Sequence, residues 1–186
     1  MMQEFRKFKG WVVLEFFLTR PSTKIHLKGL TRELGVSPRT ALIYLRTFKN
    51  DRILMEEKVG NLTIFSLNNE SPSVKALKKA HFLLTLNELG FPDAFLRENT
   101  GVVSFALYGS YADGSHDEKS DMDFFIIKHG GVDKSPFRRV EEQTKKDALV
   151  TCMSPAEWRK RAGEKDPFYI NVAQNHLLLW GADLVI

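Results

Sequence analysis

The sequence is poor in cysteine: among its 186 residues Cys152 stands alone. That excludes an internal disulfide and a zinc site built from cysteines, and it makes the cytoplasm the expected address. Long apolar runs are lacking too. Trp11-Val12-Val13-Leu14 and Phe124-Phe125-Ile126-Ile127 fall far short of the roughly 20 residues that span a bilayer. The opening Met1-Met2-Gln3-Glu4-Phe5-Arg6 has neither the apolar core nor the small-residue cleavage site of a signal peptide, so no membrane partner is expected. Internal repeats and low-complexity tracts are absent. What is present suits a packed interior: 43% hydrophobic and 11% aromatic residues exclude disorder as the main state.

Acidic residues are scarce in one half only. Residues 1–85 hold 15 Lys/Arg against 7 Asp/Glu, whereas residues 86–186 hold 12 against 16, inside a net charge of +4. Two units with different partners would give this split, a basic one for a polyanion and an acidic one for cations. Solvated surface charge falling unevenly would give it as well.

Phe8 to Leu18 is strongly apolar and reads as a helix closed by the turn residues Arg20-Pro21-Ser22. A second helix is expected from Ile25 to Leu34, with Leu27, Leu30 and Leu34 at helical spacing and Gly35 just past its end. Ser37 and Pro38 announce a third, as N-cap and first helical residue, with Ala41, Leu42, Leu45 and Phe48 on one face. Helix, short turn and helix make a helix-turn-helix pattern. Two β-prone runs, Ile53–Val59 and Leu62–Leu67, then flank Gly60-Asn61 as a hairpin.

A hairpin directly after a helix-turn-helix resembles the winged-helix family, over roughly residues 5–68. In that family the third helix enters the major groove and the wing touches the backbone. The resemblance implies that Arg39, Thr40, Tyr44 and Arg46 face bases or phosphates, with Lys49 toward the backbone and Lys58 and Asn61 on the wing. Such contacts make DNA affinity salt-sensitive. Winged helices also serve as dimerisation or protein-docking modules, so both readings stand, and a homodimer is an expectation of the same kind.

Asn68 to Pro72 is a polar connector, and a bridging helix is expected from Pro72 to Leu89 with Val74, Leu77, Ala80, Leu83 and Leu84 on its apolar face. Gly90-Phe91-Pro92 is expected to end it, before a short helical segment at 93–98.

Gly101 to Tyr108 is β-prone and stops abruptly at Gly109-Ser110; after a polar loop, Asp121-Met122-Asp123 opens a run that is apolar on both faces, as a central strand is. Gly109, without a Cβ, lets its backbone approach a bulky ligand. Ser110 adds a hydroxyl, and the amides of a helix starting there suit phosphate oxygens. Asp121 and Asp123 are two apart on a strand, so both side chains leave the same face. Adjacent carboxylates repel unless a cation sits between them, and hard divalent ions prefer such oxygens.

The stretch Leu107-Tyr108-Gly109-Ser110-Tyr111-Ala112-Asp113-Gly114, continued by Ser120-Asp121-Met122-Asp123, resembles the signature of the polymerase-β-type nucleotidyltransferase superfamily, closest to its minimal nucleotidyltransferases. That resemblance implies an α+β chain: a winged helix over 1–70, a linking helix over 71–92, and a nucleotidyltransferase domain over 93–186 with a mixed sheet flanked by helices. It implies ATP or another nucleoside triphosphate as donor, two magnesium ions (Mg2+), Gly109 and Ser110 on the triphosphate, and Asp121 and Asp123 on metal. The superfamily's third carboxylate, ligand and base at once, falls on Asp147, which precedes the strand Ala148–Met153. Asp113 departs from relatives that carry a basic residue there. AMP transfer to an acceptor hydroxyl follows, possible acceptors including a HEPN-type partner protein in an antitoxin role. The rival reading is a DNA-binding transcriptional regulator whose degenerate domain only senses nucleotide.

The remaining residues have plainer expectations. His116 is expected on an exposed loop, His176 is structural, Cys152 is inert in a buried strand, and Trp158, Phe168 and Tyr169 belong to the core, Trp158 opening a helix after the cap Ser154.

Overall fold

The computed structural model describes Glu4 and residues 7–185. Of the opening stretch read for a leader, Met1, Met2, Gln3, Phe5 and Arg6 lie outside the described residues, as does Ile186. Among the described residues no helix is long and apolar enough to cross a membrane. The chain divides into two compact units, Met1–His81 and Phe82–Ile186.

The first unit begins with helix α1, Lys9–Thr19, whose Val13, Phe16, Phe17 and Leu18 are buried. Strand β1, Lys24–His26, follows and leads straight into α2, Leu27–Leu34. Here the structure corrects the expected start of the second helix. Ile25 and His26 are extended and pair with Phe65 and Ile64, and His26 Nδ1 accepts the Gly29 N–H at 2.8 Å as the N-cap. The β-branched Ile25 gains a sheet partner, and the imidazole satisfies a first-turn amide that a helix start leaves open. Gly35, at φ +62°, stops α2. Helix α3, Pro38–Asn50, starts from Ser37, whose hydroxyl accepts the Thr40 N–H at 3.1 Å. Strands β2, Leu54–Val59, and β3, Leu62–Leu67, close a two-residue hairpin in which Val59 pairs with Leu62. Gly60 takes φ +60° at its first turn position, where a glycine suits the twist of the strands. The sheet order is β1-β3-β2, and Leu30, Leu45, Leu54, Phe65 and Leu67 join the α1 side chains in one core.

Helix α4, Pro72–Glu88, is divided between the units at His81/Phe82. Its buried row is Val74, Lys78, Phe82 and Leu86, four apart, while Leu77, Leu83 and Leu84 are half-buried and Ala80 is exposed. The apolar face expected from hydrophobicity is therefore rotated, because the row includes a lysine that no hydrophobic pattern selects. Helix α5, Phe91–Glu98, contains Pro92 in its first turn, where no amide is needed; Gly90-Phe91-Pro92 thus opens a helix as well as ending one.

The second unit is built on a mixed four-stranded sheet ordered β6-β5-β4-β7: β4 Val102–Tyr108, β5 Met122–Lys128, β6 Ala148–Met153 and β7 His176–Gly181. β4 runs antiparallel to both β5 and β7, while β5 and β6 are parallel and need the crossover that helix α7, Phe137–Thr144, supplies. Strand alternation sends Phe105, Leu107, Phe124 and Ile126 to one side, against Phe91, Phe95 and Phe137. Phe95 and Phe105 pack at 4.2 Å with their rings tilted by 31°, and Phe124 meets Phe137 edge-on at 4.9 Å. Ala106, Phe125 and Ile127 go to the other side. There helices α8, Pro155–Gly163, and α9, Pro167–Gln174, cover them. α8 begins with the capping box Ser154–Glu157, and Trp158 lies 4.6 Å from Phe125 with its Nε1 donating to Leu184 O at 3.0 Å. Phe168 and Tyr169 pack in the same cluster. Helix α9, capped by Asp166 before Pro167, was not anticipated. Cys152 departs from the expected burial: it lies on the edge strand and is only half-buried.

Removing the fully buried Phe105 ring should cost about 3–5 kcal/mol of stability in Phe105→Ala. The exposed Leu178→Ala should cost less than about 1 kcal/mol. Urea denaturation of both variants checks this, and equal losses would contradict the assignment of the core.

Candidate functional site

β4 ends at Tyr108, whose Cα partner across the sheet is Asp123. The next residue, Gly109, starts a short helix α6, Gly109–Asp113, at φ +67°. A Cβ added to Gly109 would stand 2.7 Å from Asp123 Oδ2. The carboxylate is thus pressed onto a backbone that only glycine offers, in a conformation that side chains disfavour. Alternation along the strand places Asp123 on the sheet face of Phe125 and Ile127, at its open end. Asp121 stands just before the strand and is exposed, while Asp123 is half-buried.

Burial, and then the charge of Asp121, push the Asp123 carboxyl above its ordinary range. Tyr111 on α6 is pushed up to about 12, first by burial and then by Asp117 and Asp121, so it stays a neutral phenol. Its ring lies flat on His116 at 4.0 Å and meets Phe82 at 4.4 Å. His116 is therefore buried rather than exposed, which overturns the expectation for it. The stack turns the loop inward, where a polar sequence context promised solvent.

The loop between the motif halves is held at several points. Gly114 and His116 both donate backbone N–H to Ser110 O, at 3.0 and 3.1 Å. Asp117 Oδ1 accepts from Lys119 N at 2.8 Å and Ser120 Oγ at 3.0 Å. Those bonds hold its carboxyl below the usual range, the Lys119 amide contributing most. Lys146 Nζ donates to the carbonyls of Glu118 and Asp117. Asp117 and Lys146 were missed from sequence. The Asp-x-Lys-Ser turn carries a local signal for the first, while the second acts across a tertiary contact that no spacing encodes.

Asp147 reaches the site through its backbone, its carbonyl accepting the Met122 N–H at 2.9 Å. Among the described residues no three His, Cys, Asp or Glu side chains form a group fit to hold a metal, so Asp121 and Asp123 remain a pair. As two hard oxygen donors that repel each other, one half-buried, they fit one divalent cation. His176 is structural, with Nδ1 3.0 Å from Val172 O. Burial, the largest cause, raises the Cys152 thiol, which keeps it protonated.

In the first unit, Arg39, Arg46, Lys58 and Asn61 are exposed. Arg46 and Asn61 share one cleft. The other expected contacts are engaged. Thr40 Oγ1 lies 2.8 Å from Ser37 Oγ, and Lys49 pairs with Glu56 at 3.8 Å. Tyr44, half-buried, packs edge-on against the exposed Phe8 at 5.8 Å and on Phe48 at 6.1 Å.

Residues 91–170 match the family model described as nucleotidyltransferase domain. No curated protein matches the chain. Among solved structures, a toxin–antitoxin with AMP-PNP is 17% identical over 50% of this chain and 73% of that one, at a TM-score of 0.37. A mutant of the toxin–antitoxin MntA-HpeT is 14% identical over 50% and 73%, at 0.36. Spectinomycin adenyltransferase AAD(9) from Enterococcus faecialis, solved with ATP and spectinomycin, is 11% identical over 53% and 57%, at 0.35.

Two outcomes follow from the Gly109–Asp123 contact. Gly109→Ala should lose about 1–2 kcal/mol from its left-handed backbone alone, read by thermal melting; a variant as stable as the parent would contradict the contact. Asp123 holds its proton to higher pH folded than unfolded, so its ionised form costs stability. That cost sets in as pH rises above the ordinary carboxylate range and is complete above the raised folded value. Asp123→Asn without divalent cations should therefore melt higher at pH 7, on the order of 1–3 °C, and match the parent near pH 3.

Proposed function

We propose that the second unit is a magnesium-dependent nucleotidyltransferase that moves a nucleoside monophosphate, AMP in the first instance, from a triphosphate to an acceptor hydroxyl. The single observation that carries this reading is the Asp123 carboxylate seated on the Gly109 backbone, with Asp121 beside it, inside the stretch that matches the nucleotidyltransferase family. In the reaction the acceptor oxygen bonds to the α-phosphorus, the bond to the β-phosphate oxygen breaks, and pyrophosphate leaves. Asp121 and Asp123 would hold magnesium, which neutralises phosphate charge and polarises the phosphoryl oxygens when bound. The missing Cβ of Gly109 makes room for the Asp123 carboxylate, and the backbone there, with the Ser110 hydroxyl, would donate to the triphosphate oxygens. Asp147, exposed at the head of β6, is the candidate to take the acceptor's proton and to serve as the third ligand. A protein hydroxyl on a HEPN-type partner is the acceptor class that the sequence resemblance suggests.

We propose further that the first unit is a winged helix, on the order helix, strand, helix, helix and hairpin. A second reading makes the whole a DNA-binding regulator that senses nucleotide without transferring it. It is favoured by the lack of a third converging carboxylate among the described residues and by the exposed Arg39, Arg46 and Lys58.

Incubation with α-labelled ATP, magnesium and acceptor candidates, beside Asp121→Ala/Asp123→Ala, separates the two. Transfer that falls more than about a hundredfold in the double variant supports the enzyme. Nucleotide binding without transfer, together with DNA binding that weakens steeply with salt, would replace it by the regulator.

A further inference from the structure

The first unit contains a cleft of about 390 Å³ between α2, α3 and the β2–β3 hairpin. That volume suits a small molecule rather than a peptide. Its lining includes Phe65, 4% exposed, with Thr63 on the same face of β3, and Leu42 on α3. Around this apolar floor stand two cations, Lys28 and Arg46, and one carboxylate, Glu56. Glu56 is already engaged by Lys49 at 3.8 Å, and Lys24 is engaged by Glu57 at 3.7 Å. Among the described residues neither Lys28 nor Arg46 has an ion-pair partner.

His26 completes the lining. Because its Nδ1 accepts the Gly29 N–H at 2.8 Å, the ring carries its proton on Nε2 and can only donate there. Two unspent cations and a fixed N–H donor thus surround an aliphatic and aromatic floor. Such a site selects negative charge at its rim and a flat apolar body below. Neutral hydrocarbon would leave the cations unanswered, and a bare anion would leave the floor wet.

We infer that this cleft binds a small organic anion, a carboxylate or phosphate carried on a single ring. Arg46 forks the anionic group, Lys28 adds charge, His26 Nε2–H donates the third bond, and the ring lies against Leu42 and Phe65. Arg46 is also needed by the regulator reading for a nucleic-acid phosphate, so the two ligands compete for one guanidinium. The site itself depends on neither reading of the second unit.

Backbone amide NMR titration of the full chain tests it, with benzoate and phenyl phosphate as probes and phenol and inorganic phosphate as controls. At least one probe should saturate with a Kd below about 10 mM, its shifts centred on Leu27, Leu42 and Thr63. Both controls should bind at least tenfold more weakly, because each lacks one half of the recognised chemistry. Preference between the probes decides carboxylate against phosphate. Arg46→Gln, on an exposed helix position, should weaken the probe tenfold or more, and Leu42→Ala about threefold, with the amide spectrum otherwise unchanged. Failure of both probes to saturate, inorganic phosphate binding as tightly as phenyl phosphate, or unchanged affinity in Arg46→Gln would each overturn the site.

Discussion

One carboxylate against one backbone organises the second unit. Asp123 occupies the space that a side chain at residue 109 would fill, and the antiparallel pairing of Tyr108 with Asp123 holds the two strand ends together. The sheet behind them is buried on both faces, so neither strand slips without turning apolar residues into water. What the sheet fixes is unfavourable in isolation: a half-buried carboxylate next to a second one. Its cost is tolerated because two aromatic clusters grip the same strands, and a cation would relieve it. A carboxylate perturbed in this way is what makes the pair a candidate site.

Much of this was legible in the sequence, and for physical reasons. Gly109-Ser110 and Asp121-x-Asp123 were readable because strand ends, glycine and alternating side chains obey local rules. The capping residues Ser37 and Ser154 and the hairpin at Gly60-Asn61 were local in the same way. The misses arise where tertiary contacts decide. Ile25 and His26 joined a strand because β3 lay within reach. His116 was drawn inward by the flat face of Tyr111. Lys78 was buried on α4 although no hydrophobic pattern selects a lysine. Helix α9 carries a readable start, Asp166 before Pro167, but the aromatic pair after it reads as core without requiring a helix.

Around the carboxylate pair the chain invests in order. Ser110 O receives two amides, Asp117 ties its own turn, and Lys146 reaches across to two loop carbonyls. These bonds limit the movement of the loop between Ser110 and Asp121, which the proposed phosphoryl chemistry would require. Asp147 stands apart from this order. It meets the site by its carbonyl, and its carboxylate remains exposed.

Diffraction from crystals grown with manganese and a non-hydrolysable ATP analogue tests the central claim most directly. Anomalous density between the Asp121 and Asp123 carboxylates, with phosphate oxygens against the Gly109–Ser110 turn, is the result expected. Manganese or triphosphate bound elsewhere, with that pair left bare, would contradict nucleotide chemistry at this site.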